Sequence, residues 1–144
     1  MYEIDTTDFS LKFEPYIDYG AFGDKNIERL RVIVTSYGFS ADATMNVDKE
    51  WLADFAKELN VLYENLKGGA ELEEYKGHSR ITFSITTGGH IHIMGWLYKE
   101  QNSLGQELSF SNSIDQTELR DFAKSLYRDL CETKKPGDPR KGEK

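Results

Sequence analysis

The sequence has one cysteine, Cys131, which excludes an internal disulfide and any zinc site built on cysteines. It has no basic excess: 18 Lys+Arg stand against 25 Asp+Glu, a formal net charge of −7. That balance argues against gripping a nucleic-acid backbone, which needs a basic surface. No run approaches the ~20 apolar residues that span a bilayer. The opening Met-Tyr-Glu-Ile-Asp has no basic region followed by an apolar one, so no secretory signal is expected. Together these absences point to a reducing, cytoplasmic setting.

Catalytic signatures are missing as well. There is no H-E-x-x-H and no G-x-S-x-G. Gly88-Gly89 is too short for a phosphate loop and no helix follows it. Cys131 falls near the C-terminal end of a predicted helix, where the dipole disfavours a thiolate. Glu73 and Glu74 are adjacent on a predicted strand, so their side chains point to opposite faces. An enzyme is not expected, and no cofactor is called for.

What is present is enough for one domain with one core. The chain has 144 residues, 38% hydrophobic and 12% aromatic. Its charge is uneven. From residue 134 onward five basic residues (Lys134, Lys135, Arg140, Lys141, Lys144) face two acids (Asp138, Glu143), a net +3 that leaves −10 on residues 1–133.

Two periods organise the chain. Alternation of apolar and polar residues predicts strands at 9–13, 30–35, 39–45, 81–86 and 91–98, with weaker ones at 70–75 and 108–110. Tyr37-Gly38 and Gly88-Gly89 mark hairpin turns. Gly95 interrupts an inward series and predicts a bulge or a close backbone approach. Leu52, Phe55, Leu59, Leu62 and Leu66 form the stripe of one amphipathic helix, with Asp48 as its N-cap and Gly68-Gly69 as its end. Leu119, Phe122, Leu126 and Leu130 form the stripe of a second, opened by the capping box Asp115-x-x-Glu118. Leu52–Leu59 and Leu119–Leu126 agree at six of eight positions, each after a group of strands. The simplest account is that two helices dock Leu, Phe and Leu in the same way. The expected fold is α+β: a mainly antiparallel sheet of six or seven strands with two amphipathic helices packed on one face. Residues 1–132 make one domain and 133–144 a flexible basic tail.

Two surfaces stand out. One strand presents His92, Met94, Trp96 and Tyr98 on its outer side, where a solvent-facing strand normally carries Thr, Lys and Glu. Such a row is either covered by another segment or is an interface core. The segment 15–24 carries Tyr16, Asp18, Tyr19, Phe22 and Asp24, aromatic anchors beside acids that steer a basic partner. The alternative for Tyr16 or Phe22 is a place in the core. His90 and His92 on one hairpin could instead serve a small metal- or ligand-binding domain, although zinc wants three or four ligands; a hydrogen bond from His90 to the hairpin backbone is the simpler role. A third reading is a homo-oligomeric structural module joined through the Trp96/Tyr98 face.

The run Gly89-His90-Ile91-x-Ile93-x-Gly95, then Leu108-x-Phe110, then Asp115-Gln116-Thr117-x-Leu119-x-x-Phe122-x-x-x-Leu126 resembles the WapI-like family of bacterial immunity proteins. The Leu52/Phe55/Leu59 helix followed by Gly69-x-x-Leu72 fits too, and the resemblance covers residues 28–130. It implies a small cytoplasmic protein of a contact-dependent inhibition system, encoded beside a polymorphic toxin. Such a protein binds and neutralises a cognate toxin domain, typically a nuclease, and does so without catalysis. The implied partner is that basic toxin domain, with no direct nucleic-acid or membrane contact, and the protein acts as a monomer or homodimer. The matching residues read as scaffold, so the resemblance does not supply the binding residues.

Overall fold

The described residues run through four strands and a helix, twice. The computed structural model describes residues 1–15 and 27–132. In the first half β1 (Tyr2–Asp5), β2 (Phe9–Pro15), β3 (Ile27–Ser36) and β4 (Phe39–Asp48) form an antiparallel meander, followed by α1 (Lys49–Asn65). In the second half β5 (Gly69–Glu73), β6 (Arg80–Ile85), β7 (Ile91–Gln101) and β8 (Leu104–Ile114) form another, followed by α2 (Gln116–Tyr127) and a π-helical turn, Arg128–Glu132. No helix among the described residues is long and apolar enough to cross a membrane.

The architecture is α+β, but the expected single sheet of six or seven strands is corrected to two sheets of four. Alternation along a strand is the same whichever sheet the strand joins, so it could not separate them. The unexpected strand is β1, whose Tyr2-Glu3-Ile4-Asp5 alternates inward and outward but over only four residues, with Ile4 fully buried and Tyr2 packed at the edge of the core. The expectation of both helices on one face of one sheet is corrected too. Each helix meets the inner faces of both sheets.

Four phenylalanines show how. Phe13 of β2 and Phe83 of β6 come from the two sheets, Phe55 and Phe122 from the two helices. Their rings close a circuit: Phe13–Phe55 at 6.1 Å, Phe55–Phe83 at 5.8 Å, Phe83–Phe122 at 6.1 Å and Phe122–Phe13 at 5.1 Å between centroids. Edge-on and offset contacts of this kind stabilise the core beyond what the buried area alone contributes. Leu52, Leu59, Leu119 and Leu126 are buried around them, so the repeated helical segment is a repeated packing solution.

Local signals explain most ends. The Asp48 side chain accepts from the Glu50 amide at 2.8 Å, capping α1. That helix stops at Leu66, left-handed at φ 52°, with its amide donating to the Leu62 carbonyl at 2.8 Å. The expected end at Gly68-Gly69 therefore shifts: Gly69 opens β5 instead, where a Cβ would meet the Phe83 carbonyl oxygen at 2.9 Å. In the α2 capping box the Glu118 carboxylate accepts from the Asp115 amide at 2.9 Å. Gly88 and Gly89 turn the β6–β7 hairpin with φ of 91° and 82°. Asn102 and Ser103, at φ 56° and 65°, turn the β7–β8 hairpin without a glycine, which is why β8 reads shorter in the sequence than it is. Gly95 proves to be a close approach, not a bulge. The β6–β7 register runs unbroken across Ile81↔Gly95, and a Cβ there would run into the Arg80 carbonyl oxygen.

The halves are also tied at the edges. The Tyr75 amide donates to the Asn46 carbonyl at 2.6 Å, and Lys99 Nζ to the Asp42 carbonyl at 3.3 Å, so second-half groups satisfy the outer edge of β4 at two points. The buried Ser36 hydroxyl donates to Asn112 Oδ1 at 3.1 Å, joining β3 to β8. The Tyr2 hydroxyl donates to Asp129 Oδ2 at 2.8 Å, fastening β1 to the π-helical turn.

Removing one ring leaves the other three facing a void. Phe122→Ala should cost about 3–5 kcal/mol in urea unfolding, with one transition retained for both halves. The Tyr2 bond sets a pH limit. Burial, donation to Asp129 and the Asp129 charge push the Tyr2 hydroxyl from 10.0 up to about 12. Its contribution is fully present below pH 10 and is lost as pH rises towards 12. Arg128 and the Tyr2 hydroxyl hold Asp129 below its ordinary 3.8, so that contribution is lost as pH falls through the acid range. Tyr2→Phe should flatten the alkaline fall in melting temperature and leave the neutral fold intact.

Candidate binding face on the second sheet

Ile91, Ile93 and Leu97 of β7 point into the core. The intervening His92, Met94, Trp96 and Tyr98 therefore point away from the helices, as the alternation requires. Most of their cross-strand neighbours are small, the exceptions being Arg80 beside Trp96 and Glu107 beside Tyr98. Ser84 and Ser113 flank His92, Thr82 and Ser111 flank Met94, and Ser109 lies beside Trp96. Short hydroxyl side chains leave the central row standing above the sheet. Met94 is 45% exposed, and His92, Trp96 and Tyr98 are half-buried.

Trp96 is part of a charged stack. Its β6 neighbour Arg80 lies over the indole at 5.5 Å. The same guanidinium pairs with Glu71 at 3.0 Å and Glu73 at 3.2 Å, both on β5. Arg80 thus links the indole face to the acidic edge of the sheet. Glu73 and Glu74 do part as expected: Glu74 turns inward and accepts from the His78 amide at 3.2 Å.

Tyr98 is held on three sides. Its amide donates to the buried Ser79 hydroxyl at 2.9 Å, and its ring meets the His78 ring edge-on at 5.3 Å. It also lies over Gly105 of β8, where a Cβ would come within 2.8 Å of the tyrosine ring. The Tyr98 hydroxyl donates to Glu100 at 3.0 Å. That bond, then burial, then the charges of Glu100 and Glu107 push the hydroxyl above the ordinary tyrosine value, so it stays a neutral donor. The result is an aromatic centre rimmed by Glu71, Glu73, Glu100 and Glu107.

The histidines do not converge. His90 Nδ1 lies 3.2 Å from Asp115 Oδ1, so its side chain supports the start of α2. The backbone partner expected for it is replaced by this carboxylate; the hairpin itself is closed by the Thr86 amide and the His90 carbonyl at 2.8 Å. His92 Nε2 meets the Ser111 hydroxyl instead. Among the described residues no three His, Cys, Asp or Glu side chains are grouped to hold a metal ion. Tyr16, Asp18, Tyr19, Phe22 and Asp24 lie outside the described residues.

Sequence reasoning found the aromatic row from alternation alone. It missed Arg80, Glu71, Glu73 and Gly105, because their partnership with Trp96 and Tyr98 exists only once the strand register is set.

A sequence profile of the Immunity protein WapI-like family matches residues 3–132. That span reaches past the 28–130 expected and includes β1 and β2. No curated protein matches the sequence. Among solved structures the chain is similar to one in the Trypanosoma bruciei MRP1/MRP2 crystal structures, at 9% identity and a TM-score of 0.45, covering 92% of this chain and 79% of that one.

The Arg80 stack can be read by fluorescence. With Trp51→Phe leaving Trp96 as the sole tryptophan, Arg80→Ala should red-shift its emission and raise acrylamide quenching. The stability cost should stay within about 1 kcal/mol, because the pairs are exposed to solvent.

Proposed function

The chain belongs to the WapI-like immunity protein family, and from that membership we propose that it neutralises a cognate bacterial toxin by binding it directly, without catalysis. The family match across both sheets and both helices carries this reading. We take the toxin to be a basic nuclease domain and the site of action to be the cytoplasm. The charge supports this: residues 1–133 carry −10, and a domain built to hold phosphates presents a positive cleft. Complementary charge raises the association rate above the ~10⁵–10⁶ M⁻¹s⁻¹ of neutral partners.

The outer face of β5–β8 fits an interface core. Trp96 and Tyr98 are rigid, large and pre-positioned by Arg80, His78 and Gly105, which lowers the ordering cost of binding. His92 borders them, and the rim is acidic. Tyr16, Asp18, Tyr19, Phe22 and Asp24 are proposed as further contacts on their composition.

The test is co-expression with the toxin domain encoded beside the gene. The wild-type chain should restore growth and bind that domain with an affinity that falls as salt rises. Trp96→Ala should weaken binding by about 30-fold or more while the fold is kept. Continued growth arrest with both proteins soluble would overturn the reading.

A further inference from the structure

The β3–β4 turn carries two exposed aromatic residues that the fold does not use. Tyr37 and Phe39 are each 67% exposed. Tyr37 occupies a left-handed position at φ 51°, followed by Gly38 at φ 90°. Turns of this kind favour Gly, which has no Cβ, or Asn, whose short polar side chain bonds to the local backbone, at the first place; a bulky side chain is strained there. Tyr37 therefore accepts a conformational cost and buries little of its ring in return. Its amide donates to the Asp8 carbonyl at 2.9 Å, which fixes the turn against the β1–β2 turn.

Two clefts flank the pair. One, of about 450 Å³, is lined by Asp5, Asp8, Thr35 and Tyr37 among others, and contains two carboxylates and no cation. Among the described residues no cation pairs with Asp5 or Asp8. The other, of about 250 Å³, runs from Phe39 over Ala41 and Leu97 to Leu108, with Glu107 on its rim. Its cation, Lys99, is engaged by the Asp42 carbonyl at 3.3 Å. Exposed aromatic surface between an acid-lined cleft and one of mixed apolar and polar lining suits a side chain with a long apolar stem and a positive head.

We propose that the Tyr37–Phe39 turn is a second docking surface for a basic protein partner, whose Lys or Arg heads face Asp5 and Asp8 while their stems and neighbouring apolar side chains pack on Tyr37 and Phe39. This rests on the toxin-binding reading and identifies the partner segment as a basic loop. The turn is formed by the first half of the chain, whereas the Trp96 face belongs to the second.

Tyr37→Asn separates binding from folding, because Asn suits the left-handed position. The probe is the toxin domain encoded beside the gene, titrated calorimetrically. Tyr37→Asn should raise the melting temperature and weaken binding about tenfold or more; Phe39→Ala should weaken it comparably. Asp5→Asn with Asp8→Asn should slow association several-fold at low salt and reduce its salt dependence. If Tyr37→Asn and Phe39→Ala bind like the wild type while Trp96→Ala does not, this surface is overturned and the toxin reading stands. If the wild type does not bind the domain, the toxin reading fails and this surface falls with it.

Discussion

The closed circuit of Phe13, Phe55, Phe83 and Phe122 is the constraint on which the rest depends. Two rings come from sheets in different halves and two from helices in different halves. Each ring touches one partner from its own half and one from the other. A helix cannot satisfy its phenylalanine by docking on one sheet alone, so the halves are packed as one body. The edge bonds follow from that docking. With the helices shared, β4 is brought beside the second sheet, and Tyr75 and Lys99 reach its outward carbonyls. Those bonds also protect an edge that could otherwise template pairing with another chain.

Much of this was legible in the sequence. The stripes of α1 and α2, the Asp48 and Asp115 caps and the glycine hairpin are local features, and local features follow from periodicity and turn chemistry. The partition into two sheets is not local. It depends on β4 and β5 failing to pair, and neither strand carries a mark of that in its own residues. β1 was missed for a different reason: its alternation of Tyr2 and Ile4 with Glu3 and Asp5 spans four residues, too short a run to stand out as a period. Gly95 lay between, readable as a place where two backbones approach but not as to which backbone approaches.

The candidate face divides in the same way. Outward aromatics at 92–98 follow from counting along one strand. The Arg80–Glu71–Glu73 support for Trp96 spans three strands and needs a register. The exposure of Tyr37 needs the turn geometry and the absence of packing around it, neither of which its residue type announces. The motifs that carry the family resemblance mostly hold the scaffold: Gly95 admits a neighbouring backbone and Phe122 closes the circuit in the interior, while the exposed Asp115 opens a helix. They maintain a scaffold, and the exposed groups discussed above are free to differ in sequence without disturbing it.

The link between α1 and β5 is three residues, 66–68, and Leu66 within it is held in a left-handed conformation. The aromatic circuit requires one first half and one second half, but nothing in it requires that both come from the same molecule. Two chains that opened at this hinge could trade halves and rebuild every contact in duplicate, and straightening the hinge would release the strain at Leu66. In such a pair the four-ring circuit would be unchanged and only the course of residues 66–68 would differ.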